Sequence, residues 1–557
     1  MSKFIWQKKY PKEVENDIDP GRYHSVVELL DQSVKKFGDK PAYVNFGRTL
    51  SFNDIDRFSR DFAAYLQNSG LNPGDRIAIQ MPNLLQYPIV LFGALRAGLI
   101  VVNTNPLYTP REMEHQFKDA GVKAIVILAN FAANLEKVLP KTNIQHVIIT
   151  EMGDQIGGLK GKLINFIVKK VKKMVPGYDI PFGLKYKDII QQGQKLVFNP
   201  IEIKQSDIAF LQYTGGTTGV AMGATLSHKN IVSNMLQIRE WMKPKLKEME
   251  EVVITALPLY HIFALTVNCL CMLQMGAKNI LITNPRDLDG FIKELKKYSF
   301  TFISGVNTLF NGLLNHPKFS EINFSFLKVS VGGGMAVQKV VAEKWEKVTG
   351  CPLVEGYGLS ETSPVLSCNP IDGNHQIGTI GLPVPGTEMA VFDEDGNKVK
   401  KNEPGEICAR GHQIMKGYWN KEEETKNAFF DDWFRTGDIG IMREDGFFKI
   451  VDRKKDMILV SGFNVYPNEI EDVVVQHEGI LEAAAIGIPD DRTGEAVKLY
   501  ITKKDPKLTK EEVLRHCKEN LTKYKVPKQI EFLEELPKSN VGKIIRRILR
   551  EQRRIKI

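Results

Sequence analysis

Short apolar runs alternating with helix-length segments constrain this chain more than any other feature. Arg76–Asn83 (RIAIQMPN), Ala124–Asn130 (AIVILAN) and His146–Thr150 (HVIIT) have the texture of strands buried in a parallel sheet. A helical pattern around Gln86–Ala97 lies between the first two. The alternation continues through Asn279–Thr283, Phe302–Val306 and Leu327–Gly334. Such a rhythm implies an α/β architecture built on doubly wound sheets. After about Gly378 the texture changes. Turn signals become dense at Asp393–Asn397, Asn402–Gly405 and Glu444–Gly446, with short β-like runs between them. A small β-rich subdomain is expected there. The charged run Asp452–Asp456 marks the expected boundary to a final compact α+β unit. At 557 residues the chain exceeds a single core, because domains usually run ~100–200 residues.

Two features test the class. Val252–Ala277 holds no Asp, Glu, Lys or Arg, long enough to imitate a membrane span. Pro258, His261, Asn268 and Gln274 interrupt it, so it reads as a buried strand, a loop and a buried helix. The six cysteines are scattered and match neither a disulfide framework nor zinc spacing. A reducing, cytoplasmic compartment is the expectation. The N-terminus lacks the apolar core of a secretory signal. The net charge of +9 favours anionic partners such as nucleotides, CoA or an anionic membrane surface. No nucleic-acid motif accompanies it.

Leu159–Val175 stands apart. Leu163, Ile167, Val171 and Met174 fall on one helical stripe, with Lys160, Lys162, Lys169, Lys170, Lys172 and Lys173 around it. That pattern fits a basic amphipathic helix lying on a membrane. The reading it favours somewhat more is a solvated surface helix whose apolar stripe packs on the protein.

The loudest local motif is Tyr213-Thr214-Gly215-Gly216-Thr217-Thr218-Gly219, after the strand-like Ile208–Gln212. Glycines and hydroxyls so dense can wrap N–H groups around phosphate oxygens. It is not a Walker A loop. Glu355–Thr362 (EGYGLSET) reads by itself as a strand-to-loop turn with an acidic group at its end. Asp438, Arg453 and Lys543, each taken alone, read as surface charges. His261, in an apolar run, reads as a packed histidine.

The run YTGGTTGVAMGATLSHKN (Tyr213–Asn230) resembles the phosphate loop of the acyl-adenylate-forming superfamily, which includes acyl-CoA synthetases, peptide-synthetase adenylation domains and firefly luciferase. The ordered motifs from about Ser206 to Arg547 are most similar to the bacterial long-chain fatty acid–CoA ligases. The resemblance implies a large N-terminal domain, 1–452, made of two doubly wound sheet subdomains and a small β-rich one. A small mobile α+β domain, 453–557, follows. ATP, Mg²⁺ and CoA are the implied cofactors and co-substrates. Thr214–Gly219 would hold the phosphates. Gly356 and Tyr357 would face the adenine, and Thr362 the α-phosphate. Glu361 and Thr214 would hold the metal. Asp438 and Arg453 would bind the ribose. Lys543, in Lys538–Lys543 (KSNVGK), would reach the carboxylate and α-phosphate. His261 with Gly332, Gly333 and Gly334 would line the acyl channel. Ser461 and Gly462 would line the CoA path, and Lys455 would be the hinge.

Two positions depart from the pattern. Met222 stands where the phosphate loop usually has lysine, and Asp431-Asp432 replaces Asn-Gly before Trp433. A methionine cannot neutralise phosphate charge. Either backbone donors and magnesium carry that load, or the chain is a weakened or non-catalytic acyl and nucleotide binder. An acyl-AMP ligase that delivers to a carrier protein is the nearer rival. Fatty acid and CoA are the expected partners. A peripheral inner-membrane contact through 159–175 and a homodimer are further candidates.

Overall fold

The computed structural model describes residues 4–214, 221–453, 455–461, 463–490, 492–539 and 542–554. The side chains of Arg453 and 552–554 are outside that description. Among the described residues the strands form four sheets.

The seven-stranded sheet carries Arg76–Gln80 between Ile100–Asn103 and Val122–Leu128, all parallel. His146–Thr150 continues it on one side and Ile208–Thr214 on the other. These are the apolar runs read from the sequence. Their residues are buried because helices cover both faces. The nine-stranded sheet is parallel at its centre, through Lys278–Leu281, Val252–Thr255, Phe302–Gly305, Val329–Gly333 and Leu353–Gly358. Val365–Cys368 then adds antiparallel to Leu353–Gly358. One continuous core joins the two sheets. Its central piece is the helix His228–Met242, started by Ser227, whose hydroxyl accepts from the Asn230 N–H while Asn230 answers in a capping box. Polar residues on this buried helix are satisfied individually. Asn230 donates to the carbonyls of His412 and Ile414, and Gln237 donates to that of Pro385.

The uncharged stretch is the strand Val252–Thr255, a loop and a helical segment Ala264–Cys271, buried but for the half-buried Val252, Pro258 and His261. Among the described residues no helix is long and apolar enough to cross a membrane. A β-rich unit follows, with Thr387–Phe392, Gly405–Gly411 and Trp433–Met442 paired antiparallel and Phe448–Arg453 added to the last.

The C-terminal unit is separate. The hairpin Ile480–Asp490 and Gly494–Lys503 takes Gln529–Leu533 as a parallel neighbour. The helices Pro467–Val474 and Lys510–Asn520 pack on it around a core of its own, including Ile458, Val474, Leu499 and Val513. The fold is therefore α/β with mixed sheets and a distinct C-terminal domain.

The basic helix corrects one expectation. It runs Gly158–Phe166 with a wider turn over Ile167–Val171, ending before Met174. Its inward face is Gly161, Asn165 and Val168, not the apolar stripe. Gly161 meets Gly153 so closely that a β-carbon on Gly153 would lie 2.2 Å from the Gly161 carbonyl oxygen. Asn165 accepts from the Gly153 N–H and donates to the carboxylates of Glu151 and Asp154. Polar and backbone contacts thus fix the helix. Leu159, Leu163 and Phe166 are left 85%, 57% and 57% exposed.

Candidate active site

The strand Ile208–Thr214 turns back into Met222–Ser227, and Thr214 pairs with Met222 at the mouth of that turn. Gly215, Gly216, Thr217, Thr218 and Gly219 lie outside the described residues. Both legs of the loop are tied to the helix Pro110–Ala120. Before the loop, the Tyr213 hydroxyl donates to Asp119 at 2.6 Å. Burial, then this carboxylate, push its pKa up and keep it a donor. After the loop, His115 Nε2 donates to the Ala221 carbonyl at 2.8 Å. Thr109, Pro110 and Glu112 start that helix with a capping box, and Gly121 ends it in the left-handed conformation. The loop therefore springs from a rigid base.

Glu361 is nearly buried beside it. Its Oε1 accepts from the Thr214 hydroxyl at 3.4 Å and from the Tyr418 hydroxyl at 2.9 Å. Burial and the neighbouring carboxylate raise the Tyr418 pKa, so the phenol stays a donor. Tyr418 was not singled out from the sequence. It arrives from the strand-like bridge to Ala224, with nothing local to mark it. The carboxylate and the threonine hydroxyl suit a hard divalent cation that takes its remaining ligands from phosphate and water. Among the described residues there is no group of three or more metal-ligating side chains, so the protein alone does not build a cage.

Thr362 is placed differently from the expectation. It is fully buried, and its hydroxyl is spent on the carbonyls of Leu359 and Pro364 and on the Leu359 N–H. It holds the turn that presents Glu361. Tyr357 and Asp438 are brought together, the phenol donating to Asp438 Oδ2 at 2.7 Å. Asp438 lies opposite Arg453 in the strand register.

A cavity of about 700 Å³, including its open mouth, opens against these groups. Tyr357, Gly356, Gly333, Gly334, His261 and Lys543 line it together. Gly334 has φ +77°, and a β-carbon there would come within 3.3 Å of the Lys543 Cε. The positive φ favours glycine there, and the missing side chain keeps the lysine stem close to the backbone. Gly333 is pressed by the Phe263 ring, whereas Gly332 packs on Val337 and does not line the cavity. Burial, helped by Lys543, drives the His261 pKa down to about 3. Its Nδ1 accepts from the Phe263 N–H, so the ring is neutral and serves as wall rather than base.

Lys543 reaches the cavity from the C-terminal unit. Its backbone is locked in a tight loop, Ser539 N–H to Lys543 O and Lys543 N–H to Ser539 Oγ. The Thr308 hydroxyl donates to the Gly542 carbonyl at 2.9 Å, and Asn311 donates to that of Leu481 at 3.1 Å. Ser461 is exposed and does not line the cavity, and Gly462 lies outside the described residues. Lys455 is exposed, between two anchors. Asp452 accepts from the Asn468 N–H, and Asp456 is paired with Arg546 and Arg550. Burial opposes ionisation of Asp456, but the two guanidinium groups hold its pKa below the usual range.

Residues 30–419 match the family model described as AMP-binding enzyme, and 469–543 match that of the AMP-binding enzyme C-terminal domain. The chain is 55% identical over 556 residues to a long-chain-fatty-acid–CoA ligase of Escherichia coli O157:H7, covering 100% of this chain and 99% of that one. It shares the fold of the anthranilate CoA ligase AuaEII in complex with anthranoyl-AMP, at a TM-score of 0.86 and 23% identity, covering 97% and 99% of the two chains. ATP-bound MatB from Rhodopseudomonas palustris superposes with a TM-score of 0.80 at 26% identity, covering 95% and 99%. With the matched regions in order along one chain and Tyr357, His261 and Lys543 lining one cavity, the chain belongs to the AMP-binding enzyme family.

Proposed function

We propose that this chain is a long-chain fatty acid–CoA ligase. The observation that carries the reading is Lys543, brought from the C-terminal unit into the cavity that Tyr357 and His261 also line. In the first half-reaction a carboxylate oxygen of the fatty acid attacks the α-phosphorus of ATP. The bond to the bridging oxygen breaks, and pyrophosphate leaves with the electron pair. The Lys543 ammonium meets the charge that gathers on those oxygens. Magnesium, carried in with ATP, would neutralise phosphate charge at Glu361 and Thr214. Tyr357 supplies a flat face for adenine, and Asp438 with Arg453 accepts and donates to the ribose hydroxyls. In the second half-reaction the CoA thiolate attacks the adenylate carbonyl and AMP leaves. The C-terminal unit, taken to begin at 453, turns about Lys455, withdrawing Lys543 and bringing Ser461 and Gly462 inward.

Identity of 55% along the whole chain with a long-chain ligase disfavours both the carrier-protein and the binder readings. The Met222 side chain is then tolerated, with backbone donors of the loop and the metal carrying the phosphate charge. Pyrophosphate release with MgATP and a long-chain fatty acid tests the reading.

Tyr418 acts on this chemistry through Glu361. Its substitution by phenylalanine removes one of the hydroxyls that, among the described residues, orient the carboxylate. The Mg²⁺ concentration for half-maximal rate should rise by about 10-fold, as for other outer-shell partners. An unchanged Mg²⁺ requirement would remove Tyr418 from the account.

The exposed face Leu159, Leu163 and Phe166, with lysines beside it, supports peripheral contact with an anionic bilayer. Glutamate at both Leu163 and Phe166 should weaken co-sedimentation with anionic vesicles by about 10-fold or more. Undiminished binding would sink the membrane assignment.

A further inference from the structure

The C-terminal unit does not bring Lys543 to the cavity unaided, because side chains of the N-terminal domain hold it there. Their platform is the helix Asn307–Leu314, whose inner face is sunk in the core by Phe310 and Leu313. The Phe310 ring stands edge-on to Trp345, with centroids 4.7 Å apart. Asn307 pins the start of the helix. Its amide donates to Gln338 Oε1 at 3.0 Å, and its Oδ1 accepts from the Gln338 N–H at 3.0 Å. Thr308 and Asn311 are spaced to share the outer face, and both are half-buried. Asn315, one turn further, donates to Asn311 Oδ1 at 3.0 Å and so fixes which end of that amide faces outward. The Asn311 amide nitrogen then donates to the Leu481 carbonyl at 3.1 Å. The β-branched Thr308, stiff about its first side-chain torsion, donates to the Gly542 carbonyl at 2.9 Å.

These two bonds act on one piece of the C-terminal unit. Gly542 has φ +83°, and a β-carbon there would lie 2.7 Å from the Thr308 hydroxyl, so glycine permits the close approach. The peptide that leads into Lys543 is thereby held at both ends. Thr308 holds its carbonyl across the domain boundary, and Ser539 Oγ accepts from its N–H at 3.1 Å. Leu481 is tied to the same loop. Its neighbour Glu482 pairs with Lys538 at 2.7 Å, and Lys538 bridges to Ile544 in antiparallel register. Arg286, from another loop of the N-terminal domain, adds a longer bond to the Ser539 carbonyl at 3.4 Å.

We propose that Thr308 and Asn311 are positioning residues, a dock that seats the C-terminal unit for adenylate formation and places the Lys543 ammonium. The proposal rests on the ligase reading above. Both bonds are made in the arrangement that holds Lys543 in the cavity, and both break when Lys543 withdraws for the thioester step. They therefore stabilise one of the two arrangements and bias the balance between them.

The test uses the full chain and measures the half-reactions apart: acyl-AMP formation from MgATP and a long-chain fatty acid, and transfer from supplied acyl-AMP to CoA. Thr308→Val removes the hydroxyl at nearly constant shape, and Asn311→Ala removes the amide. Each should slow acyl-AMP formation about 5-fold, the scale of one hydrogen bond, and the two together about 20-fold. Transfer to CoA should not slow, and Thr308→Ser, which keeps the hydroxyl, should behave nearly as the unaltered protein. Combining Thr308→Val with Lys543→Ala separates positioning from mere structure. A residue that acts through the lysine has nothing left to act on, so the double variant should form acyl-AMP no more slowly than Lys543→Ala alone. Equal slowing of both half-reactions, or a further 5-fold loss on top of Lys543→Ala, overturns the proposal. Undiminished acyl-AMP formation in both single variants overturns it too and leaves the ligase reading standing. Should Thr308→Val fail to fold, Asn311→Ala goes through the same comparisons with the same force. If the unaltered protein releases no pyrophosphate with any fatty acid, the ligase reading falls, and the dock falls with it.

Discussion

Lys543→Ala should abolish most adenylate formation while sparing the thioester step. Formation of acyl-AMP from MgATP and fatty acid should fall by about 10²–10³-fold, the usual loss when one preorganised charge-stabilising donor is removed. The reason lies in placement. Lys543 is held in a closed loop by Ser539, and its stem passes over Gly334, whose φ of +77° favours glycine. Its ammonium thus enters a cavity lined largely by apolar side chains, where its charge acts more strongly than in water. Acyl-AMP supplied from outside should still react with CoA at close to the normal rate, because that step needs Lys543 elsewhere. Equal losses in both half-reactions would make Lys543 a structural residue.

Lys455→Pro should give the mirror image. Acyl-AMP should form, and its transfer to CoA should slow by about 100-fold, the scale on which misplacing a reacting group costs rate. Asp452 is held opposite Ile439 in the β-rich unit and Asp456 by Arg546 and Arg550 in the C-terminal unit, so the two flanks of Lys455 belong to different units, and the Asn468 N–H bond to Asp452 crosses between them. A rotation of the C-terminal unit then has to be absorbed by the few dihedrals between those flanks. Proline fixes one of them near −65° and removes an N–H. Measured separately, the two half-reactions decide the matter. A variant slowed equally in both would place the hinge somewhere else.

Part of this architecture was legible before any coordinates. The parallel strands announced themselves because burial on both faces forces continuous apolar runs, as at Arg76–Gln80 and Val122–Leu128. The uncharged stretch at Val252–Ala277 was readable as core because Pro258, Asn268 and Gln274 suit a buried strand and helix better than a bilayer. Lys543, Glu361, Tyr357 and Asp438 could be marked because each sits in a motif of several fixed residues.

What stayed hidden depends on contacts between distant segments. Tyr418 and Glu361 are 57 positions apart, and His115 and Ala221 are 106 apart. No local periodicity announces such pairs. Thr362 sits in its motif as expected, yet its hydroxyl faces the turn's own backbone, a competition common to short hydroxyl side chains. The basic helix shows the same limit. Its pattern was visible, but which face docks was decided by Gly161 meeting Gly153 and by Asn165 finding two carboxylates.

The most direct test of the whole account is pyrophosphate release on mixing the protein with MgATP and a long-chain fatty acid, with and without CoA. The account predicts pyrophosphate in both cases. With CoA present, turnover should be sustained and AMP and acyl-CoA should form in equal amounts despite Met222. ATP bound without any pyrophosphate released, and still none after Met222→Lys, would contradict it.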